Sequence, residues 1–140
     1  MALDRHLNTT WLVLRTAIGL MALLAGLDKF LNLLTNWPMY LSPMAERLSP
    51  VSGTALMHVF GVVEMIVGLA ILTKWTRLGA YVAMAWLVGI AINLVTTGMF
   101  FDVAVRDLEL SVAAFTLARL TAVREGIARY VFPESHKEAD

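Results

Sequence analysis

Ionisable side chains inside apolar segments are the residues of this sequence most able to do chemistry. Glu64 lies near the middle of an apolar run of 18 residues, Ala55–Leu72, and Gly61 and Gly68 share its helical face. A charge at the centre of a membrane helix costs about 2.5–3.5 kcal/mol on insertion scales, so it needs a partner or a purpose. Glu64 therefore either joins helices by hydrogen bonding across a bundle or belongs to a functional pocket.

A second group of polar side chains lies near the ends of the apolar runs. Asp28 and Lys29 close the first run, and Asn93 lies about two helical turns before the end of the third. The fourth run opens with Asp102, Arg106, Asp107 and Glu109. Ionisable residues at membrane depth usually face a bundle interior or water, so this convergence predicts a polar cavity that opens outward. The predicted site residues are Asp28, Lys29, Glu64, Asn93, Asp102, Arg106 and Asp107.

Asp28 carries the sharpest expectation about pairing. An acid at the C-terminal end of a helix opposes the helix macrodipole, so we expect a cationic partner, either Arg106 or the adjacent Lys29, and predict coupling to Arg106. Asp102 is four residues before Arg106 and can pair with it along one helix face, or can simply suit the dipole in a first turn. Lys29 and Arg15 can also extend toward the two membrane surfaces without a further role.

The sequence lacks the motifs of several common chemistries. It has no cysteine, which excludes thiolate nucleophiles and iron–sulfur ligation by this chain. His6, His58 and His136 do not have metal-site spacing, so no metal is predicted, and His58 is expected to hydrogen-bond between helices rather than to bind haem. No GxSxG, P-loop or GxGxxG sequence occurs, and no cofactor motif is evident. Hydrolase, nucleotide and dinucleotide functions have no support.

Composition indicates a membrane protein. Of the 140 residues, 59% are hydrophobic and 16% are charged, whereas soluble domains contain about 25% charged residues. Eleven Lys and Arg balance eleven Asp and Glu, so the overall attraction that drives nucleic-acid binding is missing. We expect contact with a lipid bilayer and no nucleic-acid partner.

Four apolar runs organise the chain. A helix of about 20 residues crosses the ~30 Å hydrocarbon core of a bilayer. The predicted helices cover residues 10–34, 54–73, 77–101 and 103–123, with a structured outer loop over 35–53 and a polar tail over 124–140. Short connections make sequential helices antiparallel. The prediction is an all-α, integral membrane, up-down four-helix bundle that forms a single domain over residues 1–140.

Small residues predict the packing face of the first helix. They recur at alternating spacings of four and three residues, which lets another backbone approach closely. The stripe consists of the small residues Gly19, Ala22 and Gly26, with the cations Arg15 and Lys29 at its two ends. The glycines on either side of Glu64 predict a matching face on the second helix.

The distribution of Lys and Arg predicts the orientation, because cations flanking membrane spans are retained on the cytoplasmic side. Eight cations fall on one side of the predicted bundle: Arg5, Arg15, Lys74, Arg77, Arg119, Arg124, Arg129 and Lys137. Three fall on the other: Lys29, Arg47 and Arg106. Both termini are therefore predicted to be cytoplasmic, with the proline-containing loop outside.

A series of short strings resembles one membrane protein family. They are Arg15–Gly19, Gly26–Phe30, Trp37, Tyr40–Pro43, Glu64 with Gly68, Asn93, and Asp102–Leu108. From about Arg15 to Arg119 the chain resembles the DoxX and DoxX-like membrane proteins. The resemblance implies a four-helix membrane bundle in a bacterial inner membrane and, because the best-known relatives belong to thiosulfate:quinone oxidoreductase, a quinone-linked redox setting with a quinone as the possible bound cofactor.

Two classes of function follow from these patterns. One is a small integral subunit or accessory of a membrane redox system, whose outward cavity holds a quinone, a small anion or a partner. In that role Arg106 and Lys29 would hold oxygens or anionic groups, and Glu64 or Asp107 would move protons. The other is a non-catalytic subunit that packs beside larger membrane redox proteins or associates with itself. Transport is less favoured, because one four-helix protomer is small for alternating access.

Overall fold

The fold is all-helical over the residues that the computed structural model describes, which are 2–131 for the backbone and 5–128 for the side chains. The elements are α1 Ala2–Leu31, a 3-10 helix Trp37–Tyr40, α2 Pro43–Leu48, α3 Gly53–Leu72, α4 Thr76–Thr96 and α5 Phe101–Val131. The predicted all-α class is confirmed. The structure adds two short helices inside the segment that was predicted to be an outer loop.

Three of the long helices are long and apolar enough to cross a membrane, Arg5–Leu31 within α1, all of α3 and all of α4. The chain is therefore an integral membrane protein. Helix α5, which contains the predicted fourth span, is not among them, since charged residues occupy its first turns and recur from Arg119 onward.

The ends of the helices differ from the predicted bounds. Helix α1 begins at Ala2 rather than near residue 10, because residues 2–9 contain neither Gly nor Pro and continue the helix beyond the apolar run. It ends at Leu31, where Asn32 takes a left-handed conformation with φ of 50°, which asparagine tolerates better than most residues. Helix α5 continues to Val131, well past residue 123. The rest of the predicted polar tail, residues 132–140, lies outside the described residues.

Glycines set the close approach of α1 and α3. A Cβ atom placed on Gly26 would lie 2.6 Å from the carbonyl oxygen of Gly61, and one placed on Gly68 would lie 2.8 Å from the carbonyl oxygen of Gly19. These distances are too short for a side-chain atom, so the two backbones pack directly against each other. The predicted packing faces of both helices are confirmed.

Arg15 lies on the same face of α1 but does not extend freely toward the membrane surface. Its guanidinium donates hydrogen bonds to the carbonyl oxygens of Ile71, at 2.9 Å, and Thr73, at 2.8 Å, and also to that of Leu72. The last carbonyls of a helix have no partner within the helix, and a cation there also suits the dipole. Arg15 is thus a side-chain cap that joins α1 to the C-terminal end of α3.

The four long helices pack most closely as two pairs, α1 with α3 and α4 with α5. At the end that carries the start of α1, a common core joins the pairs through the fully buried Ile71 and Leu117. There Trp11 donates its indole hydrogen to Thr121 at 2.8 Å, and Arg124 donates to Asn8 at 3.1 Å. The pairs separate around a cavity toward the opposite end.

Candidate ligand-binding cavity

The cavity has a volume of about 690 Å³ and is lined by α1, α3, α4 and α5, with residues of the 35–45 segment also in its wall. This volume falls within the ~300–1,000 Å³ range of small-molecule sites. Most of the wall is apolar, with Met21, Phe60, Leu87 and Leu110 among its residues. The expectation of a polar cavity is therefore corrected: the polar groups form a cluster within an apolar chamber.

Five of the seven predicted site residues line this cavity, and two do not. The five are Lys29, Glu64, Asn93, Arg106 and Asp107. Asp28 is buried beside the cavity, and Asp102 is exposed on α5. The five lie on four long helices: Lys29 on α1, Glu64 on α3, Asn93 on α4, and Arg106 and Asp107 next to each other on α5.

A buried ion pair forms the centre of the polar cluster. The Lys29 ammonium lies 2.6 Å from Oε2 of Glu64, and the two side chains are only 5% and 10% exposed. Oε1 of Glu64 accepts a hydrogen bond of 3.1 Å from the indole of Trp86. The Lys29 ammonium also lies 3.8 Å from the centre of the Trp37 ring, a favourable cation–π position. Glu64 thus joins α1, α3 and α4 by polar contacts and also lines the cavity.

Asp28 is held by the loop that follows α1. Its carboxylate accepts hydrogen bonds from the backbone amides of Leu33 and Leu34, at 3.0 and 3.1 Å, and from the Trp37 indole at 2.8 Å. Among residues 5–128 no ion pair or hydrogen bond joins it to Arg106, so the predicted coupling of these two residues has no direct contact behind it. The reason is that the chain turns back over the end of α1 and supplies neutral N–H donors, which the dipole argument did not include.

Asn93 fastens the same loop over the cavity. Its amide group donates to the carbonyl of Tyr40 at 2.7 Å, and its amide oxygen accepts from the backbone N–H of Ser42 at 3.1 Å. Ser42 is 1% exposed and accepts a hydrogen bond from the amide of Ala45, which caps α2. Through these bonds α4 positions the segment that carries Trp37 and Tyr40 in the cavity wall.

Helix α5 contributes a cation and an acid to the wall. Arg106 is exposed at the edge of the cavity, whereas Asp107 is 8% exposed. No hydrogen bond or ion pair joins the carboxylate of Asp107 to any side chain among residues 5–128, and the pairing considered for Asp102 with Arg106 is likewise not found there. Among these residues, no side chain of α5 forms an ion pair or hydrogen bond with the carboxylate of Asp102 or Asp107.

The sequence profile of the DoxX family matches residues 10–97. This range covers more than half of the chain, including α1 from residue 10 onward, α3, α4 and the segment over the cavity. The chain belongs to the DoxX family. No curated protein and no solved structure gives a significant match. The DoxX match ends before α5, so Arg106 and Asp107 lie outside it.

Two residues that line the cavity of this DoxX protein were not among the site residues predicted from the sequence. Trp37 was noted only among the strings that resemble the family, and Trp86 was not singled out. A buried indole usually finds a hydrogen-bond partner, so the position of Trp86 inside the third apolar run was the available signal. His58 differs from expectation as well: its ring stacks on Phe30 with a centroid distance of 4.7 Å, so its contact between helices is aromatic.

Proposed function

We propose that this DoxX protein is a small integral component of a quinone-linked membrane redox system, with the cavity as its ligand site. The observation that carries the proposal is a largely apolar chamber with a tethered ion pair, two indoles and an unpaired acid in its wall. Apolar walls with a few placed polar groups are typical of sites for amphipathic ligands. A quinone has this character, since its ring is apolar and its oxygens can form hydrogen bonds.

The charges in the wall favour a neutral ring compound over a small anion. Lys29 and Arg106 are balanced by Glu64 and Asp107, so the cavity offers no net positive charge. An anion entering it would lose its hydration against mostly apolar side chains, which is costly without a dedicated cation. A quinone loses little hydration and gains contact with the Trp86 and Phe60 rings, which pack edge to face at 5.2 Å.

Electron transfer itself is assigned to a partner in this proposal. The sequence contains no cysteine and no evident motif for an electron carrier, so the chain would bind or deliver the ligand beside a larger redox protein. The same reasoning supports the alternative of a purely structural subunit. The cavity favours the ligand-binding role, since a subunit that only packs beside others gains nothing from an open chamber of this size.

The proposal includes the arrangement in the membrane. We place α5 as a fourth span, packed against α4, to give an up-down four-helix bundle in a bacterial inner membrane with both termini in the cytoplasm. Support comes from the eight-to-three distribution of cations and from the close packing of α5 on α4.

Cysteine labelling tests this orientation. Single cysteines at Glu46 in α2 and at Lys74 between α3 and α4 occupy exposed positions on opposite ends of α3. In right-side-out membrane vesicles, a membrane-impermeant maleimide should label Glu46→Cys and should label Lys74→Cys only after permeabilisation. Labelling of both variants in intact vesicles would contradict the orientation. The cysteine-free parent chain supplies the background.

A cavity-filling substitution tests ligand binding. Gly89 lines the cavity, and a Cβ atom placed on it has no heavy atom within 4 Å. We expect Gly89→Leu to fold but to occupy ligand space, weakening binding of decylubiquinone by about tenfold or more, which is ~1.4 kcal/mol. Quenching of tryptophan fluorescence in lipid nanodiscs measures the affinity, since Trp37 and Trp86 line the chamber.

Gly126→Leu is the matched control for this test. Gly126 also has open space at its Cβ position, and it lies on α5 away from the cavity lining. The control should bind decylubiquinone as the unmodified protein does. Equal affinity of the two variants for decylubiquinone would contradict ligand binding in the cavity. If, in addition, the unmodified protein binds no quinone and retains no partner in mild detergent, the redox proposal fails and structural packing is favoured.

A further inference from the structure

Asp107 differs from the other polar groups in the cavity wall because it has no protein partner among the described residues. Glu64 uses both carboxylate oxygens, one for Lys29 and one for Trp86. Asn93 uses both ends of its amide group on the loop. Asp107 is more than nine-tenths buried, yet its carboxylate receives no hydrogen bond.

The oxygens of Asp107 reach the cavity. Among the described residues, every fully buried polar side-chain atom has a hydrogen-bond partner, so the unpartnered oxygens of Asp107 must retain some accessible surface. Asp107 belongs to the cavity wall, which places its accessible oxygens beside the chamber. In a mostly apolar chamber, a ligand that supplies a donor to these oxygens gains a hydrogen bond.

We propose that Asp107 accepts a hydrogen bond from a ligand hydroxyl, so that the cavity selects a neutral, hydroxyl-bearing ring compound such as a quinol over the corresponding quinone. This inference rests on the proposed function of the cavity and names the chemical form that the cavity prefers. It also gives Asp107 the role of ligand contact, distinct from the tethered pair of Lys29 and Glu64.

The preference follows from which groups can donate. A quinone carbonyl only accepts hydrogen bonds, as does an ionised carboxylate, so a quinone can bond to Asp107 only when that acid is protonated. A quinol hydroxyl both donates and accepts, so it can bond to Asp107 in either form. Lys29 does not discriminate, since its remaining N–H can donate to either a carbonyl or a hydroxyl oxygen. Asp107 therefore favours the reduced over the oxidised ring.

The charge balance of the wall supports a neutral donor over a cation. Arg106 precedes Asp107 and also lines the cavity, and the other acid, Glu64, is paired with Lys29 at 2.6 Å. An ammonium group on a ligand would meet the cations of Lys29 and Arg106 as well as the carboxylates of Glu64 and Asp107, so the wall has no net negative charge to attract it. A hydroxyl group satisfies the Asp107 carboxylate without adding charge.

Isothermal titration of nanodisc-embedded protein under anaerobic conditions tests the inference, with decylubiquinol and decylubiquinone as probes. We expect the unmodified protein to bind the quinol more tightly. Asp107→Leu should weaken quinol binding by about tenfold or more, as expected for loss of a hydrogen bond to a charged acceptor, and should leave quinone binding unchanged or stronger. Asp102→Leu is the matched control, because Asp102 is an exposed acid on the same helix outside the cavity, and it should change neither affinity.

Asp107→Asn covers the case in which the leucine variant does not fold, since asparagine has the same size and keeps one weaker acceptor. It should weaken quinol binding by a smaller factor and, because its amide group can donate to a carbonyl, leave quinone binding unchanged or stronger. Equal losses for both probes, or no loss for either, would overturn the role of Asp107 while leaving quinone binding by the cavity intact. If the unmodified protein binds neither decylubiquinol nor decylubiquinone, the proposed function is overturned, and this inference with it.

Discussion

Replacing Gly61 by alanine should destabilise the protein by about 2–3 kcal/mol, although it adds only one methyl group. The new Cβ atom would lie 2.6 Å from the carbonyl oxygen of Gly26, 3.0 Å from the Phe30 ring and 3.1 Å from Cβ of Lys29. The backbone oxygen cannot move away without separating α1 from α3. Because Lys29 lies at this contact, separation would also disturb its ion pair with Glu64.

The free energy of unfolding in mixed detergent–lipid micelles measures this effect, and Gly89→Ala is its control. Gly89 is also a glycine within a long helix, but a Cβ atom there meets nothing within 4 Å. The control should be neutral or stabilising by up to about 1 kcal/mol, since alanine is the better helix former. Equal destabilisation by the two substitutions would contradict direct backbone packing of α1 on α3.

Removing one member of the buried ion pair should cost about 3–5 kcal/mol, because the remaining charge is left buried without compensation. Lys29→Met leaves the Glu64 carboxylate with only the Trp86 indole, and Glu64→Leu leaves both the ammonium and that indole without an acceptor. The combined variant should lose clearly less than the sum of the single losses, with a coupling of up to about 3 kcal/mol.

A double-mutant cycle on the unfolding free energy measures this coupling. The exposed pair of Arg77 and Glu125 provides the comparison, since its nitrogen–oxygen distance is 3.5 Å and its side chains are 49% and 43% exposed. Substitution of Glu125 by Gln should change stability by no more than about 1 kcal/mol. Additive losses at Lys29 and Glu64 would show that the two residues act independently.

The closeness of α1 and α3 could be predicted from the sequence because it depends on local spacing. Gly19 and Gly26 are seven residues apart, as are Gly61 and Gly68, so each pair lies on one helix face whatever the rest of the chain does. A face of small residues in a membrane helix has few uses other than close packing. The structure places these two faces against each other.

The partners of the charged residues could not be predicted in the same way. Asp28 was expected to pair with a cation, and its donors are two loop amides and the Trp37 indole. Those donors become available because the backbone reverses at Asn32, whose φ is 50°. Likewise Arg15 caps α3 because the end of α3 lies beside it, a relation between residues that are 56 positions apart in the chain.

By itself, the sequence determined the helical class, the approximate positions of the long helices and the set of polar residues near one end, because apolar run length and helical periodicity are local properties. Only the tertiary structure decided how those polar residues are used. The relative rotation and tilt of four helices join Lys29 to Glu64, bind Asn93 to the loop and leave Asp107 facing open space. The partner of each polar residue depends on which side chains meet across helices. The spacing of residues within one helix does not specify those contacts.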